Sequence, residues 1–368
     1  MDTNAFTNRI ERARALTRAV EIDALLVTPG PNLRYLTGYD AIPLERLTCL
    51  VLCADADPVL VAPLLEVPAA LASPAGQLSV DIVGWDETDD PFALVASMLP
   101  SAGVVAVDDL MAAAKVLHLR EAMPAVEQTL AGRVLRDLRM RKDTAEIEAL
   151  VAAGAAIDRV HSRVPQYLRA GRTEREVGRD LAAAIVDEGH ATVDFVIVAS
   201  GPNGASPHHE LSDRVIERGD PVVVDIGGTM PSGYCSDSTR TYSVGQPPDD
   251  FLAYYAVLQH SQQAAVEQVR PGVTAESIDA AARVPITAAG YGELFIHRTG
   301  HGIGLETHEE PYIVSGNDEP VEVGMAFSVE PGIYVSGRHG ARIEDIVIVT
   351  DDGVRSVNQQ PHDLVVVG

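Results

Sequence analysis

Four acids and one imidazole are placed where they could do chemistry. Asp225 follows the β-branched run Val222-Val223-Val224, a buried-strand signal. Asp237 lies 12 residues on, beyond Gly227, Gly228, Pro231 and Gly233, so the two acids read as the arms of a hairpin. Two buried carboxylates side by side repel and do not both stay ionised unaided. Either one holds a proton or a cation sits between them, and a metal ion is the expectation. His301 lies in Thr299-Gly-His-Gly-Ile-Gly304, where glycines let the backbone crowd a ligand. A lone histidine is more often structural. Glu330 ends the run Met325–Val329 and precedes Pro331-Gly332. Glu344 sits in Ala341–Val349, a strand largely apolar on both faces, where a bare carboxylate is costly unless paired or coordinated. A salt bridge from Arg342 or Arg338 is the competing reading for Glu344.

Together, Asp225, Asp237, His301, Glu330 and Glu344 offer more anionic ligands than one ion needs. Two divalent ions roughly 3.5–4 Å apart fit the set. Carboxylates with one nitrogen and no thiolate favour Mn²⁺, with Co²⁺, Fe²⁺ or Zn²⁺ also compatible. The expected chemistry is metal-assisted hydrolysis, with water held between the ions as nucleophile and the substrate carbonyl polarised.

The elements that must position these residues fall into two stretches. Residues 4–20 carry an amphipathic helix pattern, Ala24–Val27 a short strand, and Leu33–Leu36 a helical turn. Leu47–Cys53 and Pro58–Val61 read as a hairpin; 64–72 and 91–99 read as helices, and Val80–Val83 and Val104–Val107 as strands. A helix is expected over 120–135. This alternation predicts a compact α/β domain over 1–135, with no chemical motif of its own. A polar joint, Leu138–Asp143, precedes a long helix over about 144–168, capped by Asp143 or Thr144 with Glu146 in its first turn. The remainder, 136–368, holds all the candidate residues. It also holds a faint repeat. Arg-x-Gly-x-Thr, then an acid-rich helix, then Gly, starts at Arg169 and again at Arg270, an offset of 101 residues. Gly219 and Gly324, offset by 105 residues, each open a strand ending in an acid, Asp225 and Glu330. Two similar offsets imply duplicated halves with the site between them.

Composition bounds the rest. The chain has 368 residues, 46% of them hydrophobic, enough for a sizeable core in two domains. Its 53 acids against 28 Lys and Arg, a formal charge of -25, argue against a nucleic-acid partner. Three cysteines, Cys49, Cys53 and Cys235, make a disulfide framework unexpected. The first twenty residues lack a secretory h-region, and no stretch approaches ~18 uninterrupted apolar residues, so no membrane segment is expected and the expected location is cytoplasmic.

GHGIG (300–304), SVEPGIY (328–334), RIED (342–345) and the DIGG…GYCSD hairpin occur in an order that resembles the metal-dependent peptidases of the pita-bread fold, over roughly 138–368. These are the Xaa-Pro dipeptidases (prolidases), aminopeptidases P and methionine aminopeptidases. TPGPNLRYLTGY (28–39) is similar to the creatinase-like N-terminal domain of prolidases and aminopeptidases P. The resemblance implies an α+β chain: a pita-bread catalytic domain with pseudo-two-fold halves, preceded by a smaller α/β creatinase-like domain. It implies Asp225 as ligand of one ion, His301 and Glu330 on the other, and Asp237 and Glu344 bridging. Glu330 would also be the general acid/base. His208, in Ser200–His208, would face the substrate, although His209 is adjacent. His297 and His308 would contact substrate and stabilise the tetrahedral intermediate. Arg342 would support Glu344. The step from Asp225 to Asp237 is one residue longer than is usual in the family, and the extra residue is placed in the turn.

The expected function is hydrolysis of an Xaa-Pro bond in a dipeptide or short peptide, most simply by an Xaa-Pro dipeptidase, with a homodimer as the assembly. Aminopeptidase P is the nearest alternative. A hydrolase or lyase of an osmolyte-like amide or sulfonium compound, or a non-catalytic binding module, are the others.

Overall fold

The structure, a computed structural model, describes residues 3–368. Contacts divide the chain into two units, residues 1–139 and 140–368.

In the first unit a helix, Thr3–Ala19, leads into β1 (Ala24–Val27). β2 (Cys49–Cys53) and β3 (Val59–Pro63) form the expected antiparallel hairpin, followed by β4 (Asp81–Trp85), β5 (Val104–Val107) and β6 (Glu127–Leu130). The sheet runs β4-β3-β2-β1-β5-β6. Its central strands are apolar on both faces because helices cover them, as in other α/β layers. One expectation fails here. The segment 120–135 is not a helix: a helix stops at Ala122, Pro124 follows, and β6 pairs in parallel with β5 before a new helix, Gly132–Met140. Proline lacks the amide that would continue the helix, and the short polar edge strand Glu-Gln-Thr-Leu carries no apolar signal to announce itself.

The second unit is built twice. Helix Thr144–Tyr167, closed at its start by a capping box between Asp143 and Glu146, and helix Glu174–Asp187 pack on a sheet ordered β17-β9-β8-β7. Its strands are β7 (Thr192–Ser200), β8 (Pro221–Thr229), β9 (Cys235–Val244) and the C-terminal β17 (Val365–Val367). Helices Asp249–Gln268 and Ala275–Ala288 pack in the same way on β10 (Gly300–Gly302), β11 (Glu309–Ile313), β12 (Ala326–Val329), β15 (Asp345–Thr350) and β16 (Gly353–Ser356), ordered β11-β10-β12-β15-β16. A hairpin of β13 (Gly332–Val335) and β14 (His339–Arg342) lies between β12 and β15 in sequence.

The duplication is visible in single hydrogen bonds. Thr173 bridges to Val215, and Thr274 bridges to Pro320; the positions are 101 and 105 residues apart. Gly171 N–H donates to the Ile216 carbonyl, and Gly272 N–H to the Val321 carbonyl, at the same offsets. Thr173 and Thr274 each cap the following helix by accepting from the third residue on.

Candidate active site

The hairpin β8–β9 carries the first two acids. Pairing runs without a break from Pro221↔Ser243 to Thr229↔Cys235, and residues 230–234 form the turn. Asp225 stands opposite Thr239 and Gly227 opposite Asp237. Opposed residues share a face and alternate residues return to it, so Asp225, Asp237 and Thr239 all point one way. The longer step between the two acids is therefore taken up in the turn, and both carboxylates face the same cavity.

The second half supplies the rest. His301 is the central residue of β10, cross-strand from Tyr312. A Cβ on Gly300 would lie 1.8 Å from the Ser328 carbonyl oxygen, and one on Gly302 2.2 Å from that of Glu310. Glycine on both sides is what lets β10 sit this deep. Glu330 follows β12, and its amide donates to the Thr299 carbonyl. Glu344 lies between β14 and β15; its amide donates to the Thr239 carbonyl, and Thr239 Oγ1 donates to Glu344 Oε2 at 2.7 Å. Ligand atoms of Asp237, His301 and Glu344 lie within 4.8 Å of one another. Asp225 and Glu330 line the same cavity, of about 1090 Å³, together with His208, His297, His308 and Arg342.

Electrostatics suit this donor set to a divalent cation. Burial pushes the Asp237 carboxyl well above the ordinary range, and the charges of Glu344, Asp225 and Glu330 push it further. Burial and the charges of Glu330 and Asp225 do the same to Glu344. Asp225 is raised by burial, with Arg342 opposing, and its Oδ1 is buried with no hydrogen-bond partner among the described residues. Glu330 goes the other way: burial works against it, yet the hydrogen bond and charge of His301 in its protonated form hold its pKa near about 2, a cation's place that a metal ion would take over with the ring neutral. His301 Nδ1 is 3.1 Å from the Gly302 carbonyl, which only accepts, so Nδ1 carries the proton in the neutral ring. Nε2 then presents a lone pair to Glu330 Oε1 at 3.2 Å and Asp237 Oδ2 at 3.6 Å. A lone pair facing two carboxylates is repulsive unless a cation or a proton stands between them.

Arg342 is a structural partner of the site, but its main contact is not the expected one. Its Nη2 donates to Asp225 Oδ2 at 2.5 Å, and its Nε reaches Glu344 only through the Thr239 hydroxyl, at 3.1 Å. Its Nη1 donates to the Tyr334 hydroxyl at 2.8 Å, and that hydroxyl donates to His297 Nε2 at 2.9 Å. His297 Nδ1 donates to the Arg298 carbonyl at 2.7 Å. Both nitrogens of His297 are thus engaged by protein. The three other histidines differ. His209 Nε2 is tied to the buried Glu174 at 2.8 Å, while the neighbouring His208 is exposed to the cavity. The His308 ring centre lies 4.1 Å from that of His301; burial, His301 and Arg298 lower its pKa to about 4, so it is neutral near pH 7. Arg240, on the opposite face of β9, pairs with Asp345 at 2.6 Å and holds the Glu344 carbonyl, also at 2.6 Å. Sequence reasoning missed Thr239, Tyr334, Arg240 and Glu174. Strand alternation from Asp237 would have flagged Thr239; the other three carried no local signal.

Residues 148–351 match metallopeptidase family M24, and residues 9–141 match the creatinase/prolidase N-terminal domain. The chain belongs to metallopeptidase family M24. It is 55% identical over 367 residues to a probable dipeptidase PepE of Mycobacterium tuberculosis, covering 100% of this chain and 98% of that one. A crystal structure of dipeptidase PepE from Mycobacterium ulcerans superposes with a TM-score of 0.96 at 55% identity, covering 100% and 99% of the two chains. A recombinant prolidase from Thermococcus sibiricus superposes with a TM-score of 0.92 at 36% identity, covering 100% and 99%. This M24 chain is therefore a metallopeptidase of the pita-bread fold with the creatinase-like domain in front, as the motif order implied. No helix among its described residues is long and apolar enough to cross a membrane.

Proposed function

We propose that this M24 member is an Xaa-Pro dipeptidase that works with two divalent ions, Mn²⁺ foremost. Residues from about 136 onward form the catalytic domain, residues 1–135 the accompanying domain, and a homodimer is the expected assembly. Asp225, Asp237, His301, Glu330 and Glu344 would hold the ions. Bound there, such ions supply Lewis-acid polarisation of a carbonyl and acidify water near neutral pH.

The chain's own residues do the rest. Glu330, ionised at neutral pH, can take a proton from water and return it to the departing proline nitrogen. His308, neutral, can donate a hydrogen bond to the carbonyl oxygen as charge develops on it. His208 is exposed in the cavity to meet the substrate. His297, engaged through Tyr334, keeps Arg342 on Asp225 and so orients that carboxylate. A bond to proline is a tertiary amide, and nothing here requires an amide N–H at the scissile nitrogen.

The observation that carries this reading is the set of four carboxylates, three of them buried, gathered with His301 on one cavity, in a chain 55% identical to a probable dipeptidase. The test is a hydrolysis panel of Ala-Pro, Leu-Pro and Ala-Pro-Ala in Mn²⁺, Co²⁺ and Zn²⁺, with bound metal measured by mass spectrometry. Dipeptide cleavage with about two ions per chain is expected. Release of alanine from the tripeptide, with inert dipeptides, would make the chain an aminopeptidase instead. Fewer than one ion and no hydrolysis would make it a binding protein.

A further inference from the structure

The two halves of residues 140–368 differ at a buried position that the chemistry above does not use. Glu174 opens the helix Glu174–Asp187, and Ala275 opens the helix Ala275–Ala288, 101 residues on. Each follows a capping threonine, and each is fully buried. The Glu174 amide donates to the Arg214 carbonyl, and the Ala275 amide to the Glu319 carbonyl. The backbone is thus the same in both halves, and in one of them a methyl group suffices. A carboxylate in that place is costly to bury unless donors surround it.

Donors do surround it, and all of them come from one segment. Glu174 Oε1 accepts from the Ser200 amide and the Ser200 hydroxyl, each at 2.7 Å, and from Asn203 Nδ2 at 3.0 Å. Its Oε2 accepts from Asn203 Nδ2 at 3.0 Å, from His209 Nε2 at 2.8 Å and from the Ser212 hydroxyl. Burial works against the charge, yet the hydrogen bonds of Ser212, Ser200 and His209 hold the carboxyl below its ordinary range. One carboxylate therefore fastens the segment 200–212 at both ends and between them.

That segment is a wall of the cavity, which residues 206–211 line. His208 lies between two attachments. On one side the Pro207 carbonyl accepts from Arg342 at 3.4 Å; on the other, His209 is tied to Glu174. The His208 ring has no hydrogen bond of its own among the described residues, so its place is set by the backbone that carries it. A group that works on a substrate must be held to within about 0.5 Å of its working position.

We infer that Glu174, acting through His209, is the positioning residue that holds His208 toward the substrate. The inference rests on the Xaa-Pro reading of the same site and on the place of His208 in it. Its test is a double-mutant cycle on kcat/KM for Ala-Pro in Mn²⁺-loaded protein: wild type, Glu174→Gln, His208→Ala and the two together. Bound metal is read by mass spectrometry and folding by melting temperature. His209→Ala and His209→Gln, each also combined with His208→Ala, leave the carboxylate in place and carry the same test if Glu174→Gln does not fold.

In Glu174→Gln, kcat/KM should fall on the order of 10–100-fold, because an amide NH₂ meets donors where an oxygen accepted them. Bound metal should stay near wild type. In the His208→Ala background the same change should cost less than about 3-fold, since the ring it positions is gone. His209→Ala should lose on the order of 10-fold. His209→Gln should recover most of that, because the glutamine Nε2–H stands where the imidazole Nε2–H stood. An equal loss from Glu174→Gln in both backgrounds would overturn the inference and leave the Xaa-Pro reading standing: Glu174 would support the fold alone. Loss of metal in Glu174→Gln would overturn it as well, and so would His209→Gln no more active than His209→Ala. A His208→Ala protein as active as wild type would leave nothing to position and remove the inference together with the role of His208. Wild type inert on Ala-Pro would remove both the inference and the Xaa-Pro reading.

Discussion

Burial raises the Asp237 carboxyl most, and the charges of Glu344, Asp225 and Glu330 raise it further against the pull of Arg342. Nothing but a cation or a proton relieves that. Asp237→Asn should therefore lose metal and bring hydrolysis of Ala-Pro close to background; full activity with two bound ions would remove Asp237 from the site. Glu344 tests the same physics without turnover. Its folded pKa is raised, so ionisation costs stability in metal-free protein: the folded state is favoured while the proton stays on, and the advantage is lost as pH rises through the carboxylate range toward the folded value. In EDTA, Glu344→Gln should melt above wild type at pH 8, and the gap should close near pH 4. A mutant that melts below wild type at pH 8 would show that the carboxylate is not strained there. Tyr334 was missed by sequence reasoning although it lies in the SVEPGIY motif, because its role depends on His297 and Arg342 converging on one hydroxyl. Tyr334→Phe should cost about 1–3 kcal/mol in urea unfolding, by leaving a buried Arg342 N–H unpaired.

The hairpin β8–β9 is the element on which the site depends most. Sequence placed both acids on it and put the extra residue in the turn, and the unbroken pairing agrees. Side chains alternate with a period of two, so an insertion inside a strand inverts every residue beyond it, while a turn absorbs one freely. Deleting Ser232 should leave metal content near wild type. Inserting one residue between Ile226 and Gly227 should abolish it, read by mass spectrometry of the purified protein. Behind the same hairpin, His161 locks β9 to the long helix. Its Nε2 donates to the Ser238 carbonyl at 3.0 Å and its Nδ1 accepts from the Tyr242 hydroxyl at 3.1 Å. Burial lowers its pKa to about 3, so the fold binds the neutral ring. That contribution is complete above the ordinary value of about 6.5 and is lost as pH falls toward about 3. His161→Gln should flatten the fall in melting temperature between pH 6.5 and 4, whatever it costs at pH 8. The failure over 120–135 belongs to the same level: β6 is a strand because β5 offers it an edge, a long-range fact absent from Glu-Gln-Thr-Leu itself.

Across the molecule, duplication explains why the site has paired parts. Asp225 and Glu330 each lie six residues after the matching glycines Gly219 and Gly324, but only β12 ends at its acid: β8 runs on through Asp225 to Thr229, because β9 keeps pairing with it. The matching bridges at Thr173 and Thr274 place the helices that follow them alike. Every candidate ligand comes from residues 140–368. Chelation should therefore raise amide exchange in β8, β9, β10 and β12 and leave residues 3–139 unchanged, as measured by hydrogen–deuterium exchange mass spectrometry. The ligand types, their order along the chain, the repeat and the hairpin were all legible in the sequence, because glycine spacing, strand alternation and the cost of buried charge act locally. The wiring was not. Arg342 holds Asp225 rather than Glu344 directly, His297 is bound to Tyr334, His209 is bound to Glu174, and Arg298 is left stacked on Tyr312 with its charge unspent. Each of those outcomes is a choice among partners far apart in sequence, and such choices are made by packing, where one atom's place depends on all its neighbours.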